Sequence, residues 1–264
     1  MDVFCDPALE LPRILSSASH LVDLRLKRVG STRCISPEAL VAALSTTARL
    51  KTLYLDFSHG ISHSNPRNIP PTSSGFIVSS ILLHLTYFGP CNYLEDLLSR
   101  ISTPALERTR ITFFKQPEPS FDISQLSQFL GRVESQSLPD CAEVRNCVFG
   151  VCLSFTRSVA LPGGQPKTEC LWLEPPYQSR LELSVMTQVC QQTSPFLSSV
   201  RTLSILLSHP WRDVEHGAPW VDILRVFSRV ERLHLSKCPS LTFACALHVV
   251  SPEMAADIRK NLPR

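Results

Sequence analysis

One short hydrophobic pattern recurs six times along the chain. Each copy has an apolar residue, two variable residues, a second apolar residue, one variable residue and a third apolar residue, with Thr109 and Tyr87 each replacing an aliphatic residue once. The copies are LVDLRL (21–26), LKTLYL (50–55), LLHLTY (82–87), LERTRI (106–111), VRTLSI (200–205) and VERLHL (230–235). Because side chains alternate between the two faces of a strand, the second and third positions point to the same side. The pattern predicts six short strands, each buried on one face.

Segments between these strands show the apolar spacing of amphipathic helices. The predicted inward positions are Leu40, Ala43 and Leu44; Leu94, Leu97, Leu98 and Ile101 within residues 93–101; Ile123, Leu126, Phe129 and Leu130; and Ile223, Leu224 and Phe227. Ser36, Pro37 and Glu38 are typical of a helix start, with a serine N-cap, a proline at the first helical position and an acid in the first turn. The chain therefore consists of units made of a helix, a turn and a short strand.

The spacing of the units favours a repeat architecture. The first four copies begin 29, 32 and 24 residues apart and the last two begin 30 residues apart, in or near the roughly 20–29-residue period of leucine-rich repeats. One unit cannot bury its own apolar face, and stacking on its neighbours solves this. We predict an α/β fold, a leucine-rich-repeat-like solenoid over residues 1–264, with a curved parallel sheet on its concave side and helices on its convex side.

The repeat pattern fails in an irregular segment, at about residues 132–180. Three strand-like runs occur there, EVRNCVFG, VCLSFT and TECLWLEP, and Gly163 and Gly164 lie in a turn-forming stretch. We expect one divergent repeat followed by a partly antiparallel insertion, with Leu171, Trp172 and Leu173 partly buried. The alternative is a domain boundary near residue 160.

Composition narrows the functional classes. The chain is 44% hydrophobic and 19% charged, which suits a folded core, and its formal charge of +3 is too small for a nucleic-acid footprint. Only nine glycines accompany 21 prolines, which argues against glycine-rich phosphate loops. No run approaches the roughly 18 apolar residues of a membrane span, and acids stand where a secretory signal would have Lys or Arg. We expect an intracellular protein, cytoplasmic or nuclear, without membrane or nucleic-acid partners.

The sequence shows no recognisable catalytic or metal-binding motif. The ten cysteines form no C-x-x-C pair, and no histidine is placed to complete a zinc site, so we expect reduced thiols in the core and no metal or other cofactor. The motifs G-x-S-x-G, G-x-x-x-x-G-K-[ST] and H-E-x-x-H are missing. A protein-binding module without enzymatic activity is favoured, and an enzyme that uses residues 140–190 is the competing class.

The variable positions of the strands are the candidate binding site. They flank the buried positions and are expected on the open, concave side of the sheet. They are Asp23 and Arg25, Thr52 and Tyr54, His84 and Thr86, Arg108 and Arg110, Thr202 and Ser204, and Arg232 and His234. Tyr and Arg are common anchors of protein interfaces. The candidate partner-binding residues are Arg25, Tyr54, His84, Arg108, Arg110, Arg232 and His234; ordinary solvent exposure is the alternative, and recognition of a phosphate or an acidic motif by the arginines is a further hypothesis.

Several phrases in order carry a family resemblance. ISPEALVAALSTTARLKTLYLDF, YLEDLLSRISTPALERTRITFF, FDISQLSQFLGRVES, MTQVCQQTSPFLSSVRTLSI and PWVDILRVFSRVERLHLS resemble the leucine-rich-repeat portion of fungal F-box proteins from the mushroom-forming lineage, over about residues 10–250. The resemblance implies repeats that present a surface to a client, and an F-box module that docks on the adaptor of an SCF ubiquitin ligase.

The resemblance also indicates which parts of an F-box protein this sequence contains. No F-box-like helical cluster precedes the first repeat, and MAADIRKNLPR resembles a helix that leads into a further strand. We expect the substrate-recognition repeats of an F-box-like ubiquitin-ligase receptor, without the docking module and without a last repeat. An SCF adaptor is a partner only if a docking module exists elsewhere. A stand-alone or degenerate repeat scaffold without a ligase link is the alternative.

Overall fold

The computed structural model describes most of the predicted helices and strands. The residues described are 2–4, 18, 20–27, 35–57, 77–78, 81–113, 122–132, 138–147, 150–158, 167–174, 182–206, 218–236 and 241–250. The glycine turn at 163–164 and the MAADIRKNLPR segment lie outside them. The chain divides into two compact units, Met1–Gln136 and Ser137–Arg264, which are described separately.

The first unit alternates strands and helices in the order that the pattern predicts. Its strands are β1 (Asp2–Phe4), β2 (Asp23–Lys27), β3 (Thr52–Asp56), β4 (Ile77–Val78), β5 (His84–Gly89), β6 (Ile101–Ser102) and β7 (Arg108–Phe113). Its helices are α1 (Pro37–Ser45), α2 (Cys91–Arg100) and α3 (Ser124–Gly131). Strands β1, β2, β3, β5 and β7 are neighbours in this order and all pair in parallel, while β4 pairs with β6.

The first four copies of the hydrophobic pattern lie side by side in register. Leu24, Leu53, Leu85 and Thr109 are direct partners across β2, β3, β5 and β7, and Leu26, Leu55, Tyr87 and Ile111 form the second row. All eight side chains are at most 1% exposed. The predicted strands and their buried positions are therefore confirmed in this unit.

The helices begin and end close to the predicted residues. Ser36 caps α1, because its Oγ accepts a hydrogen bond from the backbone N–H of Ala39 at 3.2 Å. The prediction that residues 93–101 form one helix is wrong at both ends. Helix α2 begins at Cys91, and Ile101 belongs to β6, where it is paired with Ile77. Ile101 is nevertheless buried. Its hydrophobic side chain therefore correctly indicated a core position, but it did not indicate a helix.

A buried arginine ties α1 to α2. The Nη2 atom of Arg100 lies 2.7 Å from Glu38 Oε1 and its Nε atom lies 2.8 Å from Asp96 Oδ1, while the Arg100 side chain is only 7% exposed. Desolvation by partial burial alone would raise the pKa of Glu38, but hydrogen bonds from the backbone and Ser36, together with the charge of Arg100, lower it. The ion pairs thus compensate the charge that Arg100 carries into the interior.

A carboxylate from α2 caps helix α3. Glu95 accepts hydrogen bonds from the backbone N–H groups of Gln125 (2.7 Å) and Leu126 (3.0 Å), and Ile123 at the N-cap position has no side-chain group to do so. Burial raises the pKa of Glu95 to about 7; the two hydrogen bonds oppose this shift and the charge of Asp122 adds to it. Glu95 satisfies N–H groups that would otherwise lack partners at the helix start.

An aromatic cluster joins the strands to α2. Phe57, Tyr87 and Tyr93 pack with ring centroids 4.6 to 6.3 Å apart. The Tyr87 hydroxyl donates to the carbonyl of Pro90 at 2.7 Å, and the Tyr93 hydroxyl donates to that of Ile35 at 3.1 Å. A Cβ atom at Gly89 would lie 2.5 Å from the Tyr87 hydroxyl oxygen and 3.0 Å from Phe57 Cδ2. Only glycine fits beside these rings.

The second unit combines parallel and antiparallel pairing. Its strands are β8 (Cys141–Cys147), β9 (Gly150–Ser158), β10 (Lys167–Glu174), β11 (Thr202–Leu206) and β12 (Arg232–Ser236), and its helices are α4 (Glu182–Gln192), α5 (Ser194–Leu197), α6 (Ala218–Val226) and α7 (Leu241–Val250). Strand β9 lies between β8 and β10 and is antiparallel to both, whereas β8, β11 and β12 are parallel. The predicted antiparallel excursion is confirmed. Trp172 is half-buried as predicted, whereas Leu171 and Leu173 are fully buried and not partly buried.

Burial on β12 of the second unit is weaker than predicted. Leu233 and Leu235 are paired with Leu203 and Ile205 as the pattern requires, but they are only half-buried. Among the described strands, β12 pairs with β11 alone, so its apolar side chains have a neighbouring strand on one side only. Helix packing follows the prediction, because Ile223, Leu224 and Phe227 are buried.

Most described cysteines are buried, as predicted. The thiols of Cys91, Cys141, Cys152 and Cys190 are buried, and burial raises the pKa of the Cys190 thiol to about 12. Cys245 is exposed on α7, so the prediction of a core thiol is wrong there. Cys5, Cys34 and Cys238 lie outside the described residues. None of the described helices combines the length and apolar character needed to cross a membrane.

The aromatic cluster gives a first prediction. Replacing Gly89→Ala forces Tyr87 or Phe57 to shift and should lower the free energy of unfolding by about 2 kcal/mol. The matched control is Gly131→Ala at the end of α3, where an added Cβ meets no atom within 4 Å; it should raise stability by roughly 0.5–1 kcal/mol because alanine favours the helix. Urea unfolding monitored by circular dichroism measures both, and equal effects of the two substitutions would contradict the packing described.

Glu95 gives a second prediction, concerning pH. Its folded-state pKa of about 7 exceeds the ordinary value of 4.5, so the folded chain binds the proton more tightly. This contribution to stability is fully present below pH 4.5 and is lost as the pH rises through 7. Between pH 5 and 8 the wild type should lose on the order of 2 kcal/mol relative to Glu95→Gln.

The measurement is urea unfolding at four pH values from 5 to 8. The quantity compared is the change in the free energy of unfolding with pH, because Glu95→Gln also alters the cap of α3 and so shifts stability at every pH. The exposed Glu107 provides a matched control, and Glu107→Gln should follow the wild-type profile. Identical slopes for the wild type and Glu95→Gln would show that Glu95 does not carry this titration.

Candidate functional site

The candidate residues of the first unit share one face of the parallel sheet. Register pairs Asp23, Thr52, His84 and Arg108 in one row and Arg25, Tyr54, Thr86 and Arg110 in a second row. These eight side chains are exposed or half-buried, and we call them the first polar face. The structure thus brings together Arg25, Tyr54, His84, Arg108 and Arg110 on four adjacent strands.

Tyr54 lies among charged residues in the second row. Partial burial raises the pKa of Tyr54, the charge of Asp56 raises it further, and the charges of Arg110 and Arg25 lower it. Arg25 is the direct cross-strand partner of Tyr54, and Arg110 stands in the same row two strands away. Tyr54 also contacts Phe88 on β5, with ring centroids 5.7 Å apart. The tyrosine is held by its neighbours and still partly open to solvent.

Charge is unevenly distributed across the first polar face. At the β2 side, the guanidinium of Arg25 lies 3.0 Å from Asp23 Oδ2, so the arginine charge is compensated locally. At the β7 side, Arg108 and Arg110 are both exposed, the paired residue of Arg108 is His84, and the strand itself, RTRITF, contains no acid. Exposed basic side chains on the described part of this face are therefore concentrated on β7.

Sequence analysis missed two residues beside this face. Phe88 and Asp56 are direct partners two residues beyond the second row, and Phe88 is the ring that contacts Tyr54. The repeating pattern ends at Tyr87, whereas β5 and β7 each run for six residues. Continuing the alternation by one residue beyond the pattern would have identified Phe88, since it follows a buried position.

The remaining two candidates lie on the second unit. Arg232 and His234 are exposed on β12 and are paired with Thr202 and Ser204. Thr202 is only 6% exposed, although alternation places it on the face opposite the buried Leu203. Its short side chain lies on a central strand, between Cys141 of β8 and Arg232 of β12. Neighbours on both sides shield it.

The irregular segment contributes to the same row as His234. Register places Trp172, Ser154, Glu143, Ser204 and His234 along one line across the five strands of this sheet. Glu143 forms an ion pair with Arg145 two positions along β8. Among the described residues, the face of the second unit is thus mixed in charge and carries the large side chain of Trp172, which was predicted only to be partly buried.

The described residues form no metal site, and no related protein was found. In the described ranges, no group of three or more His, Cys, Asp or Glu side chains is arranged to hold a metal ion. Comparisons with protein-family models, curated proteins and solved structures found no significant match.

The strand that carries both arginines has one unfavourable interaction in its core. Thr109 lies between Arg108 and Arg110, and its hydroxyl is buried with no hydrogen-bond partner within the part of the chain that the structure describes. A buried polar atom without a partner costs about 1–3 kcal/mol. Thr109 occupies the row of Leu24, Leu53 and Leu85, where an apolar side chain fits.

Replacing Thr109→Val should therefore stabilise the chain. Valine has nearly the same shape and removes the hydroxyl, so the free energy of unfolding should rise by about 1 kcal/mol. Thr86→Val on the first polar face is the matched control, and it should change stability by less than about 0.5 kcal/mol. Chemical denaturation of both variants is the measurement, and a loss of stability in Thr109→Val would show that the hydroxyl has a partner.

Proposed function

We propose that the first polar face binds a protein partner and that the chain acts as a non-enzymatic recognition module. The observation that carries this proposal is the alignment of five candidate side chains, Arg25, Tyr54, His84, Arg108 and Arg110, in two rows across four paired strands. A face of this kind offers a partner several contacts in fixed geometry. Arg and Tyr are residues on which interface energy commonly concentrates.

The openness of this face favours binding over catalysis. Active sites are usually concave pockets that exclude water from the reacting groups. The candidate side chains stand on consecutive strands and are exposed or half-buried, which suits extended contact with a macromolecule. An enzyme that uses residues 140–190 remains the competing proposal, and an activity that depends on those residues would favour it.

We also propose that the chain is a leucine-rich-repeat-like solenoid. A leucine-rich-repeat-like solenoid is supported by parallel strands β2, β3, β5 and β7 in matching register, and by contacts between α1 and α2 and between α2 and α3 in the same order. Each helix precedes or follows a strand of the repeating pattern. In such an array the polar face of the strands would be the concave, partner-binding side.

The biological role follows from the sequence resemblance. We propose a substrate-recognition region of an F-box-like ubiquitin-ligase receptor that acts in the cytoplasm or nucleus; an SCF adaptor is a partner only if a docking module exists elsewhere. The alternative is a repeat scaffold with no link to a ligase. The two roles share the same binding face and differ in whether an SCF adaptor accompanies the captured client.

Photo-crosslinking in native cell lysate tests the proposal. A photoreactive amino acid at Thr86, in the middle of the first polar face, should crosslink a specific protein. The control places the same group at Ala42, an exposed position on α1, where capture of that protein should be absent. Mass spectrometry of the products then asks whether an SCF adaptor is present.

Charge reversal on the face should weaken capture. Arg110→Glu in the Thr86 crosslinking chain should reduce the yield of the captured protein by about tenfold, since truncation of an interface arginine typically costs more than about 1 kcal/mol and reversal costs more. Arg49→Glu makes the same charge change at an exposed residue in the turn after α1 and should have little effect. Equal yields from Thr86 and Ala42 would refute binding through this face.

A further inference from the structure

We propose that the outer edge of β12 pairs with β12 of a second copy of this chain, so that the second units of two chains form one continuous sheet. Strand β12 (Arg232–Ser236) pairs with β11, and no other described strand pairs with it. This inference goes beyond the proposed function, because it concerns the second unit and involves no residue of the first polar face.

The backbone hydrogen-bonding groups of β12 divide between its two edges. The N–H of Arg232 donates to the carbonyl of Arg201 at 3.0 Å, so Arg232 directs its backbone groups toward β11, and so does His234. Successive residues of a paired strand direct their N–H and C=O groups to opposite edges. The backbone groups of Leu233 and Leu235 therefore face the outer edge, where another strand can bind them.

Features that usually protect a sheet edge are missing from this strand. The segment RLHLS contains no proline and no lysine, and its inward side chains, Leu233 and Leu235, are apolar. Both leucines are half-buried, whereas their partners Leu203 and Ile205 on the central strand are 1% exposed. An edge of this kind is a template for pairing with another strand. A strand that brings apolar side chains to the same face would complete the burial of the leucines.

The sequence of β12 is self-complementary in an antiparallel arrangement. The occupant that the strand fits is its own copy, related by a twofold axis at His234. In this register Leu233 of one chain forms a hydrogen-bonded pair with Leu235 of the other, because both direct their backbone groups outward. The two leucines of each chain then lie on the same face of the joined sheet and contact those of the other chain.

The residues around the leucines favour this register over its neighbour. With the axis at His234, Arg232 lies opposite the small, neutral Ser236, which keeps the arginines of the two chains apart. An axis shifted by one residue toward Arg232 would place Leu235 opposite the exposed Glu231, and the apolar contact would be lost. The pairing that buries most apolar surface is thus also the one that separates like charges.

Helix α7 adds exposed apolar surface to the same unit. Its sequence, LTFACALHVV, contains no Asp, Glu, Lys or Arg, and its Val249 is 65% exposed. Helix α6 contacts both α4 and α7, so α7 is the last described helix of this series. A helix that is apolar all round is normally covered by other elements. The helices and the strands of this unit therefore both end in apolar side chains that are incompletely buried.

Disulfide trapping tests the register. His234→Cys places the thiols of two chains opposite each other, at a Cα separation of about 4.5 Å, which a disulfide can span. Arg232→Cys is the matched control on the same exposed side of β12, because its counterpart in the second chain lies roughly 14 Å away along the strands. Both substitutions are made in a Cys245→Ser chain, since Cys245 is exposed.

With oxidised glutathione, the chain carrying His234→Cys should form a covalent dimer at least about fivefold faster than the chain carrying Arg232→Cys. Mass spectrometry of the linked peptides should find the substituted position in both. Equal rates of dimer formation in the two variants would contradict the register.

Analytical ultracentrifugation tests the dimer itself. The full chain, at concentrations up to about 100 μM, should show a reversible monomer–dimer equilibrium with a Kd on the order of 10 μM, since one pair of short strands forms a small interface. Leu235→Lys should weaken dimerisation at least about tenfold, because it places a charge at the paired edge. Leu138→Lys makes the same change at an exposed leucine before β8 and should leave the Kd within about twofold. Circular dichroism confirms that each variant is folded.

The remaining outcomes decide against a second copy. A chain that stays monomeric at every concentration, or that dimerises equally well with Leu235→Lys, would overturn the proposal. A monomer that dimerises only after residues 251–264 are removed would assign the edge to that segment. Protein capture at Thr86 depends on neither result, so the failure of this inference and the failure of the proposed function are distinguishable.

Discussion

Burial of alternate side chains on four parallel strands is the constraint on which the first unit depends. Leu24, Leu53, Leu85 and Thr109 are held in one buried row, and the residues on either side of them must then point the other way. A slip of one residue in any strand would expose its leucines and bury its charges. The hydrophobic core therefore determines the composition of the first polar face. Arg108 and Arg110 share a side because Thr109 lies between them in the core.

Contacts between successive helices support this arrangement. Arg100 joins α2 to Glu38 of α1, and Glu95 of α2 caps the first N–H groups of α3. The aromatic cluster around Gly89 packs α2 against the end of β5. Each interaction links an element of the first unit to a neighbouring element, so stability is distributed among several pairwise contacts. The polar face can vary while these links hold the strands in register.

Much of this architecture was predictable because it depends on local periodicity. The hydrophobic pattern identified the strands with their buried positions, and Ser36 marked the start of α1 through its own chemistry. Ile101 was assigned to the wrong element, because an apolar residue after a helix looks the same whether it extends the helix or begins a short strand. The reduced burial of Leu233 and Leu235 depends on strand neighbours, which periodicity does not encode.

The positions of the candidate binding residues were predictable from the same alternation, but their interactions were not. Alternation placed five candidate residues on one face, but it could not indicate that Thr202 is shielded by Cys141 and Arg232, or that Asp23 compensates Arg25. The capping role of Glu95 joins residues about 30 positions apart and leaves no local signal. Pairwise geometry between distant segments is the information that the sequence pattern lacks.

Oxidative footprinting of the free chain tests the central claim that one face of these strands is buried and the other is open. Tyr54 and Tyr87 provide an internal comparison, because they are the same residue type on paired strands β3 and β5 but on opposite faces. The account predicts rapid hydroxyl-radical modification of the half-buried Tyr54 and protection of Tyr87, which is 0% exposed. Modification of Tyr87 as fast as Tyr54, measured by mass spectrometry under native conditions, would contradict it.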